Sequence, residues 1–126
     1  MRGCAVRWCE RAGWDLGAAA CVLLRAHGHQ RRYGVSTERA LPLADASVDV
    51  VVSSLAIHNL PTTADREQAI AEIVHVLRPG GAVALIDIAH VGEYARALHA
   101  RGCAVEQMGF VPTIFPPARE LLARKR

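Results

Sequence analysis

A β-branched run over residues 48–53, followed by an amphipathic stretch and then a second apolar run, constrains this chain to a strand, a covering helix and another strand. The run reads VDVVVS. It has almost no polar face, so it suits a strand buried on both sides of a parallel sheet. Pro61 and Thr62 then break the chain. Across residues 64–77, Ile70, Ile73, Val74 and Leu77 recur at helical spacing, with Asp65 and Glu67 in the first turn, where the helix dipole favours anions. Pro79, Gly80 and Gly81 stop this helix, because proline cannot continue it and glycine tolerates the positive φ of a sharp turn. Residues 82–88 read as a second buried strand. Tyr94, Ala97 and Leu98 mark a short helix reaching about Arg101 and ended by Gly102. Residues 104–108 and 121–125 read as two more strands, parted by the proline-rich VPTIFPP. The pattern is that of an α/β domain whose helices cover a mostly parallel sheet.

With 126 residues, the chain holds one domain at most. Its character changes near Gly34. Residues 1–34 are rich in Arg, Ala, Gly, Cys and Trp and show no repeated alternation, so they read as an atypical segment, disordered or helical in the alanine-rich middle at 14–27. Residues 35–126 carry the α/β pattern. Charge divides in the same way: residues 1–39 hold seven Arg against three acidic residues, net +4, and the remainder is net −1. The arginines of the leader are scattered, without a helical stripe or interleaved aromatics, which argues against a nucleic-acid partner. No apolar run reaches the roughly 18–20 residues of a bilayer span, and Asp15 interrupts the approach to the apolar run at 18–24, so neither a membrane partner nor a secretory leader is expected. Cys4, Cys9, His27 and His29 miss zinc-finger spacings, so no metal centre is expected. Four reduced thiols in the cytoplasm are the simpler reading.

Two motifs carry a family resemblance. ALPLADASVDVVVSS resembles the segment of class I S-adenosylmethionine (SAM)-dependent methyltransferases in which Leu-Pro-Phe precedes an acidic turn and Phe-Asp opens the fourth strand. Leu41, Pro42, Asp45 and Asp49 match, with Leu43 and Val48 in place of the aromatics. LRPGGAVALID resembles the helix end, Pro-Gly-Gly turn and fifth strand of that family. In the tail, Asp87, Glu93, Tyr94 and the PPAR stretch at 116–119 resemble a bacterial subgroup of unassigned substrate.

The resemblance spans about 36–125 and implies a partial Rossmann-like methyltransferase fold, with a mostly parallel sheet and a C-terminal antiparallel strand. It also implies SAM as cofactor and a small molecule as methyl acceptor. Open α/β sheets bind ligands at the carboxyl ends of their strands, which makes Ser53, Ser54 and Leu55 candidates for the methionine part of the SAM site. His58 and Asn59 follow where related enzymes face the acceptor. Since an imidazole titrates near neutrality, His58 is a candidate base, or else a polar residue at the start of the helix. Asp49 supports the start of its strand. His75, His90 and His99 read as surface residues.

The departures from the family matter equally. Thr37 aligns with the acidic residue that bonds the adenine amino group, with Glu38 one step later. Gly13, Gly17 and Gly28 do not form the glycine-rich loop that approaches the cofactor. Asp15 is a weak counterpart of the acid that bonds the ribose. The resemblance therefore implies a methyltransferase domain that is impaired or inactive as this chain. A frameshifted or misassigned start in a GC-rich gene would account for the change in composition, since fourteen of the fifteen basic residues are Arg. Without the family's central strand, residues 48–53 become a sheet edge, a template for pairing. Either the N-terminal segment or a second copy would cover it. The alternative function is accordingly a non-catalytic module that forms a homodimer through its exposed strand edge.

Overall fold

The computed structural model describes residues 21–26, 29–33, 43–55, 57–111 and 117–126. In chain order these form strands β1 (Cys21–Ala26), β2 (His29–Tyr33) and β3 (Val48–Ser54), a 3-10 turn (Ile57–Asn59), helix α1 (Thr63–Val76), strand β4 (Leu77–Asp87), helix α2 (Val91–Ala100), and strands β5 (Cys103–Val111) and β6 (Ala118–Lys125). One six-stranded sheet runs in the order β2-β1-β3-β4-β6-β5. The α/β class implied by the motifs is the observed one, but the sheet is mixed rather than mostly parallel. β3 and β4 are parallel, joined by the α1 crossover, while β6 lies between β4 and β5 and runs antiparallel to both. The C-terminal antiparallel strand is therefore present. What changes the balance is β1, which pairs antiparallel with both β2 and β3.

β1 also answers the question of the bare edge. Its residues pair from Cys21↔Ser54 to Arg25↔Val50, so the edge of β3 is filled from within the chain. The helix expected over 14–27 is thus a strand across Cys21–Ala26, and residues 14–20 lie outside the described residues. Helix propensity is a weak preference, whereas a buried strand with one side unpaired leaves a whole row of N–H and C=O groups unsatisfied. Nor does a boundary at residue 34 separate two units, because the hairpin and residues 48–125 share one sheet.

α1 shows why the helix lies where it does. At its start Thr62 is extended and its hydroxyl accepts from Asp65 N–H at 3.0 Å, a side-chain cap on an otherwise orphan donor. At its end each exposed carbonyl finds a donor. Ile73 accepts from Leu77 N–H, His75 from Ala46 at 3.0 Å and Val76 from Ser47 at 2.9 Å. The chain's single lysine completes the set, with Lys125 Nζ donating to Val74 and Leu77 carbonyls at 2.8 Å each. His75, which the sequence reads as a surface residue, is half exposed and has its ring Nδ1 beside the Asp45 carboxylate on the same capping turn.

The helix ends at Val76, three residues before Pro79, and Pro79, Gly80 and Gly81 instead form a bulge inside β4. Register passes from Val48↔Leu77 to Val50↔Ala82 across it, and Arg78 Nε lies 2.7 Å from Asp49 Oδ1. Asp49 thus supports the amino end of β3, opposite the end where ligands bind.

The core lies between one sheet face and the two helices. Val51, Val83, Leu85, Leu121 and Ala123 from the sheet meet Ile70, Ile73, Tyr94 and Leu98. On the other face Ile86, Val111 and Ala118 form a smaller cluster. Val51 and Val52, on opposite faces of β3, are both 0% exposed, as the unbroken β-branched run predicts. Among the described residues no helix is long and apolar enough to cross a membrane.

Candidate functional site

β3 and β4 end side by side, and at this edge donors from His58, Ile88 and Tyr94 converge on Asp87. This carboxylate closes β4 and is 2% exposed. Its Oδ2 accepts from His58 backbone N–H and from Tyr94 Oη–H, both at 3.0 Å, and its Oδ1 accepts from Ile88 N–H at 2.8 Å. The His58 ring turns toward the same carboxylate, with Nδ1 2.5 Å from Oδ1. A buried carboxylate needs such a set of donors, because an unpaired one would be strongly penalised by desolvation.

Local backbone geometry delivers His58 to this position. Leu55 takes a positive φ of 56°, unusual for a residue with a Cβ, while its N–H still bonds Ile86 C=O at 2.8 Å. The chain therefore leaves β3 sharply and enters the 3-10 turn that carries His58. Asn59 Nδ2 donates to Leu55 C=O at 3.2 Å and closes the turn.

α2 delivers Tyr94. Arg66 of α1 is 9% exposed and donates to Glu93 Oε2 at 2.9 Å, to Leu60 C=O at 3.2 Å and to Thr63 Oγ1 at 3.1 Å. This clamp ties the turn after β3 to the first turn of α2. The Arg66 hydrogen bond holds the Glu93 carboxyl below its ordinary range. Burial pushes the Tyr94 phenol up, and the charge of Asp87 and their hydrogen bond add to the effect.

Of the residues singled out from sequence, Ser53, Ser54, Leu55, His58 and Asn59 all lie at this carboxyl edge, while Thr37 and Glu38 are outside the described residues. Ser53 and Ser54 are buried, at 2% and 4% exposure, but lie on opposite faces as successive strand residues must. They cannot line one wall together. Asn59 is exposed and engaged in closing its turn. In the sequence Asp87 stands out only through the tail resemblance, and Tyr94 through that resemblance and as a marker of its helix. A carboxylate ending a buried apolar strand is itself a signal, since that end of an α/β sheet is where ligands sit. Glu120, 2% exposed on β6 against Gly109, carried no sequence signal at all.

A family model described as a methyltransferase domain matches residues 3–85. That match takes in most of residues 1–34, so the segment that composition set apart does not stand outside the family. A SAM-dependent methyltransferase from Methanosarcina mazei has a similar fold, with TM-score 0.60 and 14% identity over 70% of this chain and 64% of that one. A 1,6-didemethyltoxoflavin-N1-methyltransferase from Burkholderia thailandensis, solved with S-adenosylhomocysteine, gives 0.58 and 18% over 70% of this chain and 48% of its own. The [4+2]-cyclase SpnF gives 0.59 and 15% over 70% and 53%. At these identities the likeness is one of fold, and the chain spans about half to just under two-thirds of these proteins. With a family match over more than half its length and the βαβ unit that the family's motifs require, the chain belongs to the class I SAM-dependent methyltransferases.

Proposed function

We propose that this domain transfers a methyl group from SAM to a small molecule, in the cytoplasm and without a nucleic-acid or membrane partner, and that this chain by itself holds SAM weakly. The observation that carries the reading is the buried carboxylate of Asp87, which holds His58 at the carboxyl ends of β3 and β4, the edge at which Ser53 and Leu55 also lie. These residues suit the methionine end of SAM, and SAM supplies a methyl already activated by its sulfonium. The protein's part is alignment, with a base where the acceptor carries a proton. His58 is the residue suited to that second task.

Weak affinity follows from the sequence. Residues 1–34 hold no G-x-G, and Thr37 stands where the family has an acid. Each charge-assisted hydrogen bond lost removes roughly 1.5–3 kcal/mol, about ten- to a hundredfold in affinity. Calorimetric titration with SAM and S-adenosylhomocysteine is expected to give saturable binding weaker than micromolar. A micromolar constant would overturn the claim of weak affinity, and no saturation at millimolar concentrations would overturn the SAM reading.

A non-catalytic pairing module is the second reading, and what favours it lies on β5 rather than β3. This outer strand exposes Met108 and Phe110, 49% and 58% accessible, on one face of the sheet edge. Size-exclusion chromatography over a concentration series is expected to show dimer in that case and monomer after Phe110→Lys. A monomer at every concentration excludes it.

A further inference from the structure

We infer that Asp87 is a positioning residue, which fixes the His58 ring with its proton on Nδ1 and leaves Nε2 free to take a proton from an acceptor whose nucleophilic atom is a hydroxyl oxygen or an amine nitrogen. The inference rests on the methyl-transfer reading for its chemistry, and on geometry for the pairing. Asp87 holds two parts of one residue: Oδ2 accepts from the His58 backbone N–H at 3.0 Å, and Oδ1 lies 2.5 Å from the ring Nδ1. Nδ1 is buried, and its N–H is not aligned on an acceptor in this rotamer. Two lone pairs facing each other at 2.5 Å would nevertheless repel, and a carboxylate can only accept, so the ring nitrogen beside it carries the hydrogen. The other ring nitrogen then has the lone pair, and the 22% of the side chain that is exposed lies away from the buried Nδ1.

The carboxylate is itself held in place. Tyr94 donates to it from α2 at 3.0 Å and Ile88 N–H at 2.8 Å, while Arg66 and Glu93 fix the helix that presents Tyr94. A base oriented by a third group is the arrangement by which enzymes set the tautomer of a histidine. When the acceptor's proton passes to Nε2, the acceptor atom keeps the electron pair that would form its bond to the methyl carbon, while the methyl–sulfur bond would break with its pair left on sulfur as the neutral thioether. The ring becomes an imidazolium, and Asp87 offsets its charge. An acceptor with no proton to lose, such as a thioether, has no use for this device.

The test reads the tautomer directly, without any acceptor. Long-range proton–nitrogen spectra of the histidine-labelled chain, with His58 assigned by loss of its signals in His58→Gln, are recorded at alkaline pH where imidazoles are neutral. The Nδ1–H form is expected to dominate in the native chain, to persist in Tyr94→Phe, and to give way to Nε2–H in Asp87→Ala. A predominantly Nε2–H ring in the native chain overturns the inference, whether or not Asp87→Ala folds. So does an unchanged tautomer in an Asp87→Ala variant that remains folded by circular dichroism. A SAM titration of the same sample separates the two readings: an Nδ1–H ring without SAM binding keeps the Asp87–His58 pairing and removes the methyl-transfer reading.

Discussion

Tyr94→Ala is expected to destabilise the domain by about 3–5 kcal/mol, the range for deleting a large aromatic side chain from a packed interior. Tyr94 is among the largest fully buried side chains, 1% exposed, and packs where α2 meets the sheet. Against a total stability of roughly 5–15 kcal/mol this is about a fifth of the fold or more. For a chain of this size it corresponds to a fall in Tm of roughly 10–20 °C. Tyr94→Phe separates ring from hydroxyl. It keeps the packing but removes the donor to Asp87, leaving a buried acceptor less satisfied, and should cost about 1–3 kcal/mol.

The phenol also gives a pH signature. Its folded pKa is raised by burial and by Asp87, so its contribution is fully present below the unfolded value near 10 and is lost as pH rises beyond it. In that window the native chain should lose about 1.4 kcal/mol per pH unit from this one proton, a component absent in Tyr94→Phe. Thermal melts across the alkaline range check both points. A fall below roughly 5 °C in Tyr94→Ala, or identical alkaline slopes in native and Tyr94→Phe chains, would contradict this account.

How much of this was legible in the sequence depended on whether the cause was local. The β-branched run and the helix after it were readable because burial on both faces and helical spacing leave a direct trace in residue order. Strand β3 and helix α1 end within a residue of the expected positions. The cap at Thr62 was also within reach, since Thr-x-x-Asp before an apolar-periodic stretch is a start signal. By contrast, Cys21–Ala26 became a strand for a reason distant in sequence, the unpaired side of β3. Alanine and leucine say nothing about a strand more than twenty residues downstream. The site divided in the same way. Ser53, Ser54, Leu55 and His58 follow from the rule that ligands gather at strand ends. That His58 meets Asp87, 29 positions later, depends on the parallel register of β3 with β4 and on the positive φ at Leu55, neither of which any short motif encodes.

The Pro-Gly-Gly bulge separates two demands for glycine that a sequence motif merges. A Cβ at Gly81 would stand 2.8 Å from Arg78 C=O, 3.0 Å from Asp49 C=O and 3.0 Å from Leu77 Cδ2. Two of the three are backbone atoms, held by the register that joins Val48 to Leu77 and Val50 to Ala82, so they cannot yield without shifting β3 against β4. Gly81→Ala should therefore cost about 1–3 kcal/mol as an overpacked site, with Gly81→Val worse. Gly80 has the opposite problem. Its φ is +84° and a Cβ there would meet nothing within 4 Å, so Gly80→Ala carries only conformational strain, about 1–2 kcal/mol, and Gly80→Asn less. The expected order of loss in urea unfolding is Gly81→Val, Gly81→Ala, Gly80→Ala, Gly80→Asn. The Gly81 variants should also disturb His58, because its partner Asp87 lies at the far end of the strand that the bulge sets in register. If Gly80→Ala proves costlier than Gly81→Ala, the close approach of the two strands is not what requires glycine here.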